Sequence, residues 1–430
     1  MNLEKVLRIG RKIIPRPVFK LFQPLYHFWL SLTAALVYGL PYRKLKVIGV
    51  TGTNGKSTVV HLIAQVLEEA GYSVAMVSSI SFKIKDKVWP NKLKMTMPGR
   101  FKLQGFLSQA AKAGCQYLVL EVTSEGIVQH RQRFIRFQTA LLTNITEEHL
   151  ESHGGFDNYK RAKAKLFHQL RTMGKSVVNL DDPNAEYFLQ FPAKEKWGYG
   201  IDFESANQTD QTVRASSCQA SRKGVSFKVG GQGFRINLLG RFNIYNALAA
   251  ISIGLTEGVP LDKISSGLSK AKGIPGRLEI VREKPTVIVD YAHTPDALEK
   301  VYQTIKDSFS GSVIGVFGAA GGGRDKWKRP EFAKIAEKYL DKIIIANEDP
   351  YDEDPQAIID DIVKGLREKS AEEFIDRRLA IRRALESARK DDVVIITGKG
   401  AEPWMCVGRG KKIPWDDREI VKEELKRIRG

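Results

Sequence analysis

Residues 47 to 58 read Val-Ile-Gly-Val-Thr-Gly-Thr-Asn-Gly-Lys-Ser-Thr, and this run constrains the chain more than any other. A β-branched strand enters a glycine turn, Gly52-Thr53-Asn54-Gly55, which delivers Lys56, Ser57 and Thr58. A helix-like segment from His61 to Ala70 follows. That order is the layout of a phosphate cradle, with turn amides and the helix N-terminus facing an anion. Lys56 reaches outer phosphates, and the hydroxyl of Ser57 or Thr58 can hold Mg²⁺. The strict pattern wants glycine where Val50 stands, so the turn is a variant. Turn chemistry alone does not call for a lysine between a glycine and two hydroxyls.

Apolar runs then alternate with helical patterns. Ser73–Ser79, Tyr117–Val122, Thr139–Asn144 and Ser176–Leu180 read as strands; Phe101–Ala113 and Tyr159–Leu170 read as helices. This alternation predicts a mainly parallel α/β sheet. Residues 205–240 are polar, alternating and glycine-rich, which predicts a small antiparallel meander. Asn243–Leu255 returns to helix. After the Gly/Pro linker at Lys272–Arg277, strands at Thr286–Asp290, Ser312–Phe317, Lys342–Ala346 and Val393–Thr397 predict a second, Rossmann-like α/β domain. Gly318–Gly323 lacks the G-x-G-x-x-G frame of a dinucleotide site. The expected organisation is a segment 1–45, a central ATP-binding domain 46–274 and a C-terminal domain 275–430.

The three cysteines, Cys115, Cys218 and Cys406, are far apart, which argues against a zinc ribbon or disulfide frame. An excess of 68 Lys+Arg over 49 Asp+Glu leaves +19 and favours an anionic partner. No aromatic-basic signature points to nucleic acid. Residues 1–20 carry Lys5, Arg8, Arg11, Lys12, Arg16 and Lys20 against the single acid Glu4, and an apolar stretch runs from Leu25 to Leu40. The stretch is short for a membrane span, and Pro15, Pro17 and Pro24 are expected to break any helix before it. Two readings stand: an interfacial helix on a membrane surface, or a helix packed on the neighbouring domain.

Glu121 ends a strand expected beside the phosphate turn, where it could hold Mg²⁺ or cap a helix. Thr143-Asn-Ile-Thr-Glu-Glu-His149-Leu-Glu-Ser-His153 follows a buried-looking strand. Its polar side chains crowd the end of the sheet at which open α/β folds bind ligands. His149 or His153 could meet a metal or substrate. Lys163 and Lys165, read alone, belong to a solvated helix face.

These segments, with Asn179-Leu-Asp-Asp-Pro183, Gly240-Arg-Phe-Asn-Ile-Tyr-Asn246, Asp290-Tyr-Ala-His-Thr-Pro-Asp296 and Gly398-Lys-Gly-Ala-Glu402, fall in the order seen in Mur ligases. The chain most resembles the MurE type, over roughly residues 46–430. The resemblance implies an ATP-dependent ligase that joins an amino acid to the terminal carboxylate of a muramoyl-type peptide through an acyl phosphate. It implies ATP and two Mg²⁺ ions. Ser57, Glu121 and His149 match metal ligands, and Lys163 matches a carbamylated lysine that holds the second ion. Asn243 and Asn246 match adenine-side contacts, and Arg277, Asp290 and His293 match C-terminal contacts to ATP. Thr96, Thr123, Ser124, Gln129 and Arg131 match the acceptor's site. Arg324, Asp349, Tyr351 and Glu402 match the site of the incoming amino acid.

Three departures stand out. Glu348-Asp-Pro-Tyr351 replaces the family's Asp-Asn-Pro-Arg selector for meso-diaminopimelate. Ala401 replaces a histidine. Only about 45 residues precede the phosphate turn, where the MurE type carries a uridine-nucleotide-binding domain. The expected amino acid is therefore not diaminopimelate but one with an amine side chain, met by Glu402 and Asp349. A cytoplasmic monomer is expected, peripheral on the inner membrane face through residues 1–45. The competing readings are the same chemistry on a lipid-linked or folate-type acceptor, and a non-catalytic scaffold with this fold.

Overall fold

The computed structural model describes residues 16–93, 95–148 and 150–429. Its helices begin with α1 (Arg16–Val37), α2 (Lys56–Glu69), α3 (Arg100–Lys112), α4 (Ser124–Val128), α5 (Leu150–His153), α6 (Phe156–His168), α7 (Ala185–Leu189), α8 (Phe242–Thr256) and α9 (Leu261–Ser269). The first sheet has strands β1 (Lys46–Thr51), β2 (Val74–Val77), β3 (Ser81–Ile84), β4 (Lys87–Pro90), β5 (Tyr117–Glu121), β6 (Phe137–Leu142), β7 (Lys175–Asn179), β8 (Glu195–Gly200) and β9 (Gln211–Arg214). Their spatial order is β4-β3-β2-β5-β1-β6-β7-β8-β9. All pairings are parallel except the β2-β3-β4 edge.

Strand β1 is buried along all but its first residue, as a central parallel strand covered on both faces must be. Its side chains alternate between two cores. Ile48 and Val50 join the core shared with α2 and α8, and Val47 joins the one shared with α3 and α6. In α2, Val59, Val60, Leu62, Ile63, Val66 and Leu67 are buried. Each contributes about 1.5–3 kcal/mol relative to exposure, which holds the phosphate turn against the sheet.

The meander appears as β10 (Ser216–Ser221), β11 (Gly224–Val229) and β12 (Gln232–Ile236), an antiparallel three-stranded sheet. The second half of the chain forms β13 (Glu279–Glu283), β14 (Thr286–Val289), β15 (Val313–Phe317), β16 (Lys342–Ala346), β17 (Ala371–Phe374) and β18 (Val393–Ile396), in the order β13-β14-β18-β15-β16-β17. Only the edge strand β13 is antiparallel. Helices α10 (Pro295–Ser308) and α11 (Lys328–Tyr339) pack side by side, and their buried apolar residues share one core with the sheet.

The break expected at Pro17 and Pro24 does not occur, because α1 runs unbroken through both, and Pro15 lies outside the described residues. Pro17 lies in the first turn, where its missing N–H has no helical partner to lose. Pro24 removes one interior hydrogen bond, and packing on the body of the protein holds the helix instead. Ala34 and Ala35 are fully buried and Ser31 nearly so. Gly105 on α3 leaves room for the Tyr38 ring. Among the described residues, no helix is long and apolar enough to cross a membrane.

Candidate active site

The carboxyl ends of β1, β5 and β6 face those of β14, β16 and β18 across a cavity of about 910 Å³. Gly52 has φ +147° and Gly55 φ +80°. A Cβ on Gly52 would overlap the Thr143 hydroxyl, and one on Gly55 the Asn246 side chain. The turn is pinned from the end of β6. Thr53 N donates to Asn144 O at 2.9 Å, Asn54 N to Asn144 Oδ1 at 2.9 Å, and Thr143 Oγ1 to Asn54 O at 2.7 Å. The result is a rigid anion cradle at the start of α2. Lys56 Nζ rests on Thr53 O at 2.7 Å. Burial lowers its pKa, with Glu121 opposing.

Beside the cradle, Ser57 Oγ donates to Glu121 Oε2 at 2.9 Å and lies 2.6 Å from Ser79 Oγ. Ser79 N donates to the same carboxylate oxygen at 2.8 Å. Glu121 therefore faces the turn rather than capping a helix. A hydroxyl and a carboxylate at strand ends are the hard oxygen donors that Mg²⁺ takes, so these residues fit the ion. Among the described residues, no three His, Cys, Asp or Glu side chains converge on one point. An ion here would complete its shell with phosphate oxygens and water, as Mg²⁺ commonly does.

Lys163 overturns the surface reading of its helix. It is 2% exposed, donates to Gly52 O at 2.6 Å, and lies 4.4 Å from the centre of the Tyr159 ring. Burial, reinforced by Lys56, holds its pKa well below the usual lysine range. His149 lies outside the described residues. His153 meets Ser124 Oγ at 3.1 Å.

Elsewhere on the cavity wall, Asn243 Nδ2 donates to Leu239 O at 2.6 Å, and Asn246 Nδ2 to Asn243 Oδ1 at 2.8 Å. Asp290 braces two loops, accepting from Leu278 N at 2.7 Å and Ala292 N at 2.6 Å. The Arg277 guanidinium stacks 4.3 Å from the Tyr291 ring centre. His293 Nδ1 lies 2.9 Å from Tyr291 O. Burial, then Lys328, pushes its pKa down to about 3, so its imidazole is neutral.

Thr96, Thr123, Ser124 and Arg131 line the cavity, whereas Gln129 and Gly52 do not. Gln129 Oε1 instead accepts from Arg131 Nε at 3.2 Å and from its terminal nitrogen at 2.8 Å. It is a support for the arginine. Thr58, Arg324, Asp349, Tyr351 and Glu402 also reach the wall. Lys399, which is fully buried, donates to Asp349 at 3.0 Å and Glu402 at 2.6 Å. Tyr291 Oη donates to Glu402 at 3.0 Å and Cys406 N to Asp349 at 2.7 Å.

The sequence reading missed the residues that join the two halves. Lys328 Nζ lies 3.1 Å from Glu148 Oε1. Asp325 accepts from Leu150 N at 3.1 Å and Glu151 N at 3.0 Å, and Glu151 accepts from Lys326 N at 3.0 Å. Asn54 Nδ2 donates to Asp296 at 2.9 Å. Glu148 sits inside the Thr143–His153 segment, but only the fold shows that it meets Lys328. Ser79 and Lys399 gave no separate signal.

Cradle, carboxylate, buried lysine and facing second sheet are the parts of a phosphate-binding α/β site. Residues 50–254 match the Mur ligase middle domain, and residues 276–400 match the Mur ligase glutamate ligase domain. A relative from Clostridium acetobutylicum, UDP-N-acetylmuramoyl-L-alanyl-D-glutamate–2,6-diaminopimelate ligase 1, is 36% identical over 93% of this chain and 82% of its own length. The UDP-N-acetylmuramyl-tripeptide synthetase of a Roseiflexus species is 36% identical over 95% and 84%. A solved structure of a UDP-N-acetylmuramoyl-L-alanyl-D-glutamate–2,6-diaminopimelate ligase aligns with TM-score 0.59 and 31% identity, covering 90% of this chain and 79% of its own. The chain belongs to the Mur ligase family. It is a MurE-like, ATP-dependent amino-acid ligase.

Proposed function

We propose that the chain extends a uridine-linked muramoyl dipeptide by one 2,6-diamino acid. The observation that carries this reading is the convergence of Lys56, Glu121, Lys163, Arg131 and Arg324 on one cavity. The cradle seats the ATP phosphates, and Lys56 offsets their charge as the acceptor carboxylate approaches. Mg²⁺, when bound at Ser57 and Glu121, neutralises phosphate oxygens. Arg131 is held by Gln129 and by Met97 O, at 2.5 Å, ready for an acceptor carboxylate. Asn243 and Asn246 offer amides to the base. Arg277, Asp290 and His293 shape the opposite wall of the nucleotide site. The acceptor carboxylate takes the terminal phosphoryl group of ATP and releases ADP, giving an acyl phosphate; the incoming amine attacks the acyl carbon and sheds a proton, and amide and inorganic phosphate leave.

Lys163 is suited to carbamylation. Its neutral amine attacks CO₂ and loses a proton, leaving an anion able to hold a second Mg²⁺. His149 is assigned to the same ion by sequence match. We further assign the ATP-binding unit to residues 46–274, the C-terminal unit to 275–430, and a position beside the inner membrane face to residues 1–45. Thr96, Thr123 and Ser124 are assigned to the acceptor, and Arg324, Asp349, Tyr351 and Glu402 to the amino acid.

The expectation against diaminopimelate meets a contrary indication, because the relatives named for their substrate take it. Half of its ground also falls. Asp349 and Glu402 already share Lys399 and are not reserved for a substrate amine. Arg324 remains on the wall as a guanidinium suited to a carboxylate. Tyr351 still lacks the charge to pair a second one. The test is competition between diaminopimelate, lysine, ornithine and alanine for a uridine-linked muramoyl dipeptide. Diaminopimelate or lysine should dominate. Alanine or ornithine used equally well would refute the assignment.

A further inference from the structure

Helix α1 is amphipathic the wrong way round for a helix that merely packs on a protein. Its buried side is small or polar: His27, Ser31, Ala34 and Ala35. Ser31 Oγ donates to His130 O at 2.7 Å, so the polar face is seated by a specific bond. The Phe28 ring lies 5.5 Å from Phe134, and the Arg133 guanidinium covers it at 4.7 Å. Phe28, Leu30 and Leu32 are half-buried, while the outward side also carries large apolar residues. Leu25 is 54% exposed, Trp29 57%, Leu36 61% and Val37 66%. Leu25, Trp29 and Leu36 recur at helical spacing and form one stripe. Left in water, such a stripe wastes apolar area that a packed helix would bury.

We propose that this stripe docks on an anionic lipid bilayer. Charge selects this occupant over another protein surface. In sequence, Lys5, Arg8, Arg11 and Lys12 precede the helix and Arg16 and Lys20 belong to its first five residues, against Glu4 alone. A polybasic lead followed by an exposed Trp/Leu face is the composition of a helix lying in the headgroup layer. No described helix crosses a membrane, so α1 lies on it. The same helix is bonded to the loop that carries Gln129 and Arg131. Docking would therefore bring the proposed acceptor-carboxylate site beside the headgroups. This inference names the face that holds residues 1–45 at the membrane. It does not depend on the ligase reading.

The experiment is flotation of the full chain with vesicles of phosphatidylglycerol and phosphatidylcholine in equal parts, or of phosphatidylcholine alone. The chain should float only with the anionic vesicles, and less at high salt. Leu25→Ser/Trp29→Ser/Leu36→Ser should lower partitioning by about tenfold or more. Its turnover on a soluble acceptor should be unchanged, which also certifies its fold. If that variant fails to fold, brominated lipid provides a second reading. It should quench emission in the wild type and much less in Trp29→Phe. Three results would overturn the proposal: no flotation of the wild type, equal flotation of the triple variant, or a concentration-dependent dimer abolished by the triple substitution. The last would give the stripe to a second copy of the chain. Loss of ligase turnover with intact vesicle binding would refute the activity and leave this surface standing.

Discussion

Lys328 and Glu148 stand 180 residues apart and meet between the two halves of the molecule, Nζ to Oε1 3.1 Å, with each side chain only 5% exposed. Next to this pair Asp325 holds the start of α5, and Glu151 answers by accepting from Lys326 N. The loop that carries Arg324 is therefore fastened directly to the segment that follows β6. A buried pair of this kind gives little net stability when intact, yet leaves a costly orphan when one partner is removed.

That asymmetry predicts a double-mutant pattern. Lys328→Met should destabilise the fold by about 3–5 kcal/mol, because Glu148 stays buried without its cation. Burial already raises the Glu148 pKa, and Lys328 is the main opposing influence. Glu148→Gln/Lys328→Met should recover more than half of the loss. Urea unfolding of Lys328→Met, Glu148→Gln and the double variant measures both effects. Additive losses would show that the two side chains do not act as a pair.

Lys56→Ala should lower kcat by about 10²–10³, the cost of removing one strong electrostatic contact to a developing charge. The cradle glycines and the Asn144 bonds stay in place, so ATP binding should weaken less than turnover. Steady-state kinetics and ATP titration separate the two. Turnover within about tenfold of the wild type would remove the phosphate role from this lysine.

Lys163→Ala should be inactive and regain part of its activity with formate or acetate, which restore an anion in the space of the carbamate. Wild-type activity should fall in bicarbonate-depleted buffer and return on adding bicarbonate. The buried, proton-shedding amine motivates this prediction. Insensitivity to both treatments would leave Lys163 as a brace on Gly52 O.

Glu348 gives a pH signature for stability. It is buried, and desolvation raises its pKa from 4.5 to about 7 even though Arg377 opposes the shift. Between these values the folded chain holds a proton that the unfolded chain has lost. Stability therefore falls as pH rises through this window and levels off above it. Glu348→Gln should flatten the Tm profile from pH 5 to 7.5 and stabilise the protein at pH 8, on the order of 1–3 kcal/mol. An unchanged slope would contradict the assignment.

The sequence carried the local part of this structure well. The phosphate turn, the strands that end at Glu121 and Thr143, and the polar meander are visible because each depends on residues adjacent in the chain. The motifs likewise named most of the cavity wall. Contacts made by folding were not visible. Lys163 on a charged helix looks solvated until β1 and Tyr159 bury it. Gln129 looks like a substrate contact until it is seen holding Arg131. Pro24 suggests a helix break that packing on α3 overrides. Lys399 gives no local sign that it will join Asp349 and Glu402 into one buried cluster.

Oxygen transfer tests the central claim most directly. The acceptor's terminal carboxylate is labelled with ¹⁸O and incubated with ATP, Mg²⁺ and the amino acid. An acyl phosphate requires one carboxylate oxygen to leave with the phosphate. The account predicts one ¹⁸O in each inorganic phosphate released, one amide formed per ATP, and no label transfer without acceptor. Unlabelled phosphate accompanying amide formation, or release of AMP and pyrophosphate, would contradict it.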